Sequence, residues 1–490
     1  MTDLFGKELR VINVGASSFN EDYRRQNIPF IHLDWRPPAG GDAEVLGMLE
    51  HLEARRPEIT RANDEVLRRV KSAQGKLVGV KLAREVLPGM DGRIILHAGP
   101  PIAWANMAGP MRGAIIGALM YEGWATTPEL ALALAASGEI CFAPCHEYGA
   151  VGPMAGVISP SMPVHVLLDE VHEKRAYCTV NEGLGKVLRY GAHSEAVLQR
   201  LRWIESDFAP ILDAALALAG GIDVKGIISQ ALHMGDECHN RNKAATGLFL
   251  REIMPHVLRT NFPLEQKIAA LEFIKGNDHY FLNLSMPYCK LALAAGHGVE
   301  QATVCTVMAR NGYEFGIKIS SSDRWFTGKA NKIEGLLFPG FTMEDAAPDI
   351  GDSAITETMG LGGFAMGGAP AIVQFVGGRV EDAFRYSRQM HEICHGENQA
   401  FTLPTLDFMP TALGIDIRKV IATGILPIIN TGMAHKEPGV GQVGAGLVRP
   451  PMSCFKAALE AVASQAEVDL LCHAPGCSRF PVHDAEGATR

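Results

Sequence analysis

Residues 351–370, GDSAITETMGLGGFAMGGAP, carry glycines at 351, 360, 362, 363, 367 and 368. Glycine reaches positive φ without a Cβ clash, so such a run can fold into tight turns whose backbone N–H groups face one concavity. A phosphate or a carboxylate suits a concavity of that kind. Gly362, Gly363 and Gly367 are therefore candidate substrate-binding positions. Asp352 and Glu357, just upstream with Ser353, Thr356 and Thr358, are candidates to orient a substrate or accept its protons. The same composition also suits a seam of small residues where helix and sheet pack closely. The spacing matches neither GxxxxGK[ST] nor GxGxxG, so it names no nucleotide.

Downstream, residues 381–395 read as a helix stopped by Gly396, a natural residue to follow a helix C-terminus. It contains HEICH, which satisfies HExxH: on a helix His391 and His395 share a face and could hold zinc, with Glu392 as base. Residues 414–450, GIDIRKVIATGILPIINTGMAHKEPGVGQVGAGLVRP, then place a strand at 425–429, broken by Asn430-Thr431-Gly432. His435, Lys436 and a second glycine loop (439, 441, 444, 446) follow. Polar residues at the C-terminal end of a strand are where α/β proteins commonly do chemistry. His435 can exchange a proton near neutral pH and Lys436 can neutralise an oxyanion, so both are candidate catalytic residues, with Asn430 and Thr431 as substrate contacts. The two glycine loops are expected to converge on one anionic guest.

Upstream, Asn277 lies in a turn that introduces FLNLSMPYCKLALAAGHGV, and it joins the substrate-binding candidates. The segment MGDECHNRNKAATGLFL sets Asp236, His239, Asn240 and Lys243 at i, i+3, i+4 and i+7; on a helix these share one face, either solvated or lining a cleft. HAGPPIAWANMAGPMRG breaks a strand and opens an apolar helix with Arg112 in its first turn and Asn106 nearby, a second place for a carboxylate, phosphate or carbamoyl oxygen. Residues 9–15 and 29–34 read as buried strands flanking a short helix. That is the opening of a doubly wound domain, with Asp34 where a Rossmann domain places its acid, although VGASSF has one glycine rather than three. Residues 43–86 read as charged helix.

The bulk numbers narrow the class. The chain has 490 residues, 47% hydrophobic and 20% charged, enough for three or four domains. A net charge of -9 argues against nucleic acid. The ten cysteines are scattered without paired metal spacing, fitting a reduced cytoplasmic protein. No run is long enough to span a membrane, and the N-terminus lacks a signal-peptide core. The expected fold class is α/β multidomain: a Rossmann-like domain over 1–100, an α/β domain over 101–193 and a helical domain over 194–273. A mixed α+β domain with the glycine-rich loops follows over 274–465, and then a tail without pattern over 466–490.

At VINVG…HLDWRPPAGGD, at HAGPPIAWANMAGPMRG and above all at GIDIRKV…GILPIINTGMAHKEPGVGQVGAGLVRPP, the chain resembles the YlbE-like, or AllG, family, over about residues 8–465. The resemblance implies a subunit of an oxamate carbamoyltransferase. That enzyme interconverts oxalurate plus phosphate with oxamate plus carbamoyl phosphate, in allantoin breakdown and nitrogen metabolism. It implies an oligomer whose partners are an FdrA-like (AllF-type) subunit and an AllH-type subunit. Such chemistry needs anion cradles, Arg112, Lys436 and a proton donor to the leaving amide nitrogen, for which His435 is the candidate; no metal or other cofactor is required. Two other readings stand beside it: a metal-dependent amidohydrolase using His391, Glu392 and His395, and a non-catalytic assembly subunit.

Overall fold

The computed structural model describes residues 9–33 and 35–473. Asp34 and the tail beyond His473 lie outside the described residues; residues 466–473, expected to be patternless, extend the helix Met452–His473.

The helix Leu282–Ala295 sits at the centre. Its sequence, LNLSMPYCKLALAA, has no continuous polar face, and a helix apolar all round must be buried. Tyr288, Leu284, Met286 and Leu291 are fully buried in the largest core, together with Leu77, Leu167, Cys178, Phe208 and Phe249. Around it lies a four-stranded antiparallel sheet in the order Lys174–Thr179, Pro163–Asp169, Lys76–Leu82, Ile222–Asp223. Helices of residues 195–275 pack on it, so that stretch is helical apart from the edge strand Ile222–Asp223.

Two further sheets carry the segments around the glycine-rich stretch. Ser322–Lys329, Glu314–Ile319, Cys305–Asn311 and Ile350–Gly351 form an antiparallel sheet, and Glu334–Leu337, Gln442–Val448 and Ile429–Ala434 form another. Their apolar faces share a second core with Phe315, Ile317, Ile415, Val443 and Phe455. A small sheet of Cys141–Pro144, Ile94–His97 and Val157–Ile158 and a hairpin of Cys394–Leu403 with Met409–Ile415 complete the sheets among the described residues.

The protein is thus a mixed α/β molecule of several sheets. The doubly wound expectation for residues 1–100 is carried by one unit, Val11–Val14, Asn20–Arg25 and Phe30–Leu33, whose strands pair in parallel. The next two strands leave it: Lys76–Leu82 and Ile94–His97 join separate sheets. Nor are the first two strands buried. Ile12 is 65% exposed and Ile31 64%, and they face the same way as exposed Val14 and Leu33. Residues 43–86 are not all helix either. KLVGVKL at 76–82 is a strand: Leu77, Gly79 and Val80 are buried while Lys76 and Lys81 are exposed, with a bulge between Leu77 and Gly79.

The helix expected to carry HEICH ends at Ile393, with extended Cys394 as its cap. His395 belongs to the following strand and binds Asp64 Oδ1 at 2.8 Å, whereas His391 lies 3.3 Å from Glu397. The two imidazoles do not share a helical face, which removes the zinc geometry. Gly396 sits within that strand and stops nothing.

Candidate functional site

The stretch 351–370 crosses the middle of the molecule and is buried throughout most of its length. Most of its glycines make a seam rather than a cradle. A Cβ on Gly363 would lie 2.2 Å from the Ile428 carbonyl oxygen, and one on Gly367 would press on Leu406 and Ser387. A Cβ on Gly368 would meet Leu403 at 2.7 Å. The second glycine loop behaves likewise. Gly444 and Gly446 stand opposite Leu337 and Gly335 in the sheet, where only glycine lets the backbones approach so closely. The two loops do meet, but through the strand Ile429–Ala434 and not through their glycines.

The polar residues at the head of the stretch build the site. Glu357, fully buried in the short helix Ile355–Thr358, accepts hydrogen bonds on Oε1 from the backbone N–H of Gly363 (2.9 Å) and of Asn430 (3.2 Å). Thr356 Oγ1 donates to its Oε2 at 3.0 Å. The His239 ring lies against the same carboxylate, with Nδ1 2.9 Å and 3.0 Å from its two oxygens. A carboxylate so placed fixes the tautomer and orientation of an imidazole and steadies its protonated form.

His239 reaches Glu357 because the expected helix at 236–243 is absent. The helix Val224–His233 ends, residues 234–242 form a loop, and the helix Lys243–Arg259 begins at Lys243. Asp236 and His239 are buried in that loop, Asn240 is half-buried in it and Lys243 is an exposed partner of Asp278, so the four residues share no helix face. Cys238, between Glu237 and His239, takes φ 60°, a conformation costly for a residue with a Cβ. Its carbonyl is held by Ser285 Oγ at 3.1 Å. Beside it Glu237 is fully buried, and burial pushes its carboxyl up to about 7 despite the pull of His239.

His239 forms one wall of a narrow cleft with Asn240, His279, Arg189, Ser353, Thr431 and Gln442. With Nδ1 engaged by Glu357, Nε2 is the nitrogen left to the cleft. Arg189, nearly buried, donates from a terminal nitrogen to the Gly183 carbonyl at 2.8 Å and lies over the Tyr190 ring. Its Nε has no partner, and among the described residues it makes no ion pair. Ser353 and Thr431 are held on one buried guanidinium: Arg310 reaches Ser353 Oγ at 3.2 Å and Thr431 Oγ1 at 3.0 Å, while Asp349 neutralises it at 2.8 Å. Burial and the Arg189 charge hold His279 down at about 4, so it stays neutral.

The remaining candidates fall in three places. Asn430 belongs to the buried group, its N–H on Glu357 and both side-chain polar atoms unpartnered. Asn277 stands behind the cleft: it bonds Asn181 and caps His279, fixing the turn that presents the latter. Asp352 is a clamp. Its oxygens accept from Gly99 N (2.7 Å) and Gly152 N (2.8 Å), with His146 at 3.4 Å, so its proton-accepting capacity is taken up by the backbone.

His435, Lys436, Arg112 and Asn106 form a separate surface group, brought together because Gly109 packs against the Lys436 carbonyl. Arg112 donates to the carbonyls of Ala105 (2.6 Å) and Trp104 (3.4 Å), and Asn106 is exposed. His435 Nδ1 accepts from Glu437 N at 2.9 Å, its ring rests on Phe341, and Lys436 is exposed. None of these four lines the cleft, since His435 lies about three strand residues, roughly 10 Å, beyond Gly432. Sequence reading missed Arg189, Glu237 and Arg310. Glu237 lay within the segment MGDECHNRNKAATGLFL but was not singled out, whereas nothing in LGKVLRYGAH marked Arg189.

The protein is thus a mixed α/β chain in which a carboxylate-oriented imidazole, a buried guanidinium and two hydroxyls line one cleft. The model of the family described as oxamate carbamoyltransferase subunit AllG matches residues 140–353, which include Arg189, Glu237, His239 and Ser353. The chain is 45% identical to the oxamate carbamoyltransferase subunit AllG of Escherichia coli (strain K12), over 83% of this chain and 98% of the relative. It is 46% identical to the uncharacterized protein YahG of the same strain, over 93% and 97%. A crystal structure of a conserved protein of unknown function from Enterococcus faecalis V583 superposes with a TM-score of 0.82 at 48% identity, covering 83% of this chain and 98% of that one. The chain belongs to the AllG family.

Proposed function

We propose that this chain is the acid–base subunit of a carbamoyltransferase of the oxamate type, acting on a ureido acid such as oxalurate and on phosphate. The observation that carries the reading is the His239–Glu357 pair at the wall of a cleft that the buried guanidinium of Arg189 also lines, where Arg189 feels the Glu182 carboxylate but makes no ion pair among the described residues. In the direction of phosphorolysis, an oxygen of hydrogen phosphate bonds to the carbamoyl carbon and the bond from that carbon to the amide nitrogen breaks. The electron pair stays on nitrogen. His239 takes the proton of the hydrogen phosphate and delivers it to that nitrogen, so oxamate and carbamoyl phosphate leave with all hydrogens accounted for. Arg189 binds phosphate or the substrate carboxylate, and the Ser353 and Thr431 hydroxyls donate to the developing oxyanion.

The partners in this reading are an FdrA-like (AllF-type) subunit and an AllH-type subunit. The exposed apolar row of Ile12, Val14, Ile31 and Leu33 supports an assembled state, because parallel strands are otherwise found with both faces covered. The test is carbamoyl phosphate formation from oxalurate and phosphate by the co-purified subunits. Replacement of His239 by asparagine is expected to lower turnover at least 100-fold with assembly intact. Full turnover in that variant would favour the assembly-subunit reading, with chemistry in a partner.

A further inference from the structure

A second polar cleft lies on the other side of the Asp352–Ser353 turn. It has a volume of about 470 Å³ and is walled by His146, Glu147, Lys174, Lys290, His297, Lys318 and Asp323. Its acids are engaged: Glu147 accepts from Trp325 Nε1 at 3.1 Å, and Asp323 lies 2.9 Å from His297 Nε2. Its amines are not. Among the described residues Lys174, Lys290 and Lys318 make no ion pair; Lys318 rests over the Trp325 ring at 5.0 Å. Lys290 is the single charged residue of the central helix, LNLSMPYCKLALAA, and projects into this cleft. At its floor the His146 side chain is fully buried, with Nε2 3.4 Å from Asp352 Oδ1 and Nδ1 without a hydrogen-bond partner. Burial together with the charge of Lys318 pulls Lys290 down to about 8. Glu147, Asp323 and the Asp352 carboxylate act on these amines from a distance, yet three amines gathered in one partly desolvated hollow, none in an ion pair among the described residues, are arranged to hold an anion.

We propose that this cleft binds a phosphoryl oxyanion between Lys290 and Lys318, with His146 beneath it and Lys174 at the rim. The site is separate from the His239 cleft, and its occupant is either free phosphate or the phosphoryl end of a larger metabolite. Trp325 touches Lys318, Glu147 and the His146 ring, so its fluorescence reports on occupancy.

The test titrates the full-length protein with inorganic phosphate and, separately, with carbamoyl phosphate, at matched ionic strength. The signal is the fluorescence change present in the wild type and absent in Trp325→Phe. A saturable change is expected, weakened at least tenfold in Lys290→Met and in Lys318→Gln, and unchanged in Arg189→Met. Because Lys290 emerges from the core, the pair Lys174→Gln/Lys318→Gln, at more accessible positions, gives the same reading if Lys290→Met does not fold. Tighter binding of carbamoyl phosphate would assign the larger ligand, and equal binding the free ion; both support the site. A wild-type signal that does not saturate, or one insensitive to the lysine substitutions, overturns it. The result is independent of the turnover of His239→Asn, so either proposal can fail alone.

Discussion

At the scale of single residues, Glu357 holds the site together, because one buried carboxylate serves two backbone donors, a hydroxyl and an imidazole. Glu357→Gln keeps the shape but loses the charge that steadies an imidazolium. Its expected result is a 100-fold or greater fall in turnover with little change in substrate affinity, measured as kcat against KM. Glu237 gives a stability test. Its folded pKa, about 7, lies above the ordinary carboxylate value, so the folded chain binds more protons than the unfolded one between about 4.5 and 7. Its contribution is therefore full below about 4.5 and is lost as pH rises through 7. Glu237→Gln should match the wild type in thermal unfolding at pH 5 and exceed it at pH 8. The gain has an upper bound on the order of 3 kcal/mol, less what the amide loses as an acceptor. An equal difference at both pH values would show that Glu237 is ionised throughout. Glu357, Asp352 and His239 were visible in the sequence as polar residues in unusual neighbourhoods. What they bond to was not, because the partners lie up to 253 positions away in the chain.

At the scale of elements, local pattern and tertiary context part company at identifiable places. Residues 163–169 and 314–319 are strands whose side chains are buried on both faces, which is why short apolar runs there become strands. The helical spacing at 236–243 misleads because the backbone N–H groups of His239 and Arg241 donate to the Glu237 carboxylate and stabilise a loop instead. HEICH misleads because the chain turns into a strand two residues after His391. The glycines of 360–368 advertised a cradle, yet what they supply is close approach. Gly363→Ala should therefore destabilise by about 1–3 kcal/mol, as its methyl would displace the strand at Ile428; a denaturant midpoint measures it, and an unchanged midpoint would refute the packing role. Asp352→Ala leaves two buried N–H groups without acceptors, at about 1–3 kcal/mol each, so a loss exceeding that of Gly363→Ala is expected in the same assay.

At the scale of the whole molecule, the fold spreads its polar machinery over two clefts on either side of one turn and keeps an apolar sheet face on its outside. No helix among the described residues is long and apolar enough to cross a membrane. In the proposed assembly, the row of Ile12, Val14, Ile31 and Leu33 would meet a partner subunit. Ile12→Glu with Ile31→Glu should leave the unfolding temperature within a few degrees of wild type while reducing co-purification of the partner subunits at least tenfold. Retention of the complex would place the contact elsewhere.

The Asp352 clamp has a further consequence for how the molecule comes into being. It ties residues 99, 152 and 352 in one knot, across separations of 253 and 200 positions. During translation the earlier two loops must wait, unclosed, until the third strand of that knot leaves the ribosome, and such distant closures slow folding. Fragments ending before Ser353 should consequently emerge as sticky, chaperone-dependent species and not as miniature working proteins.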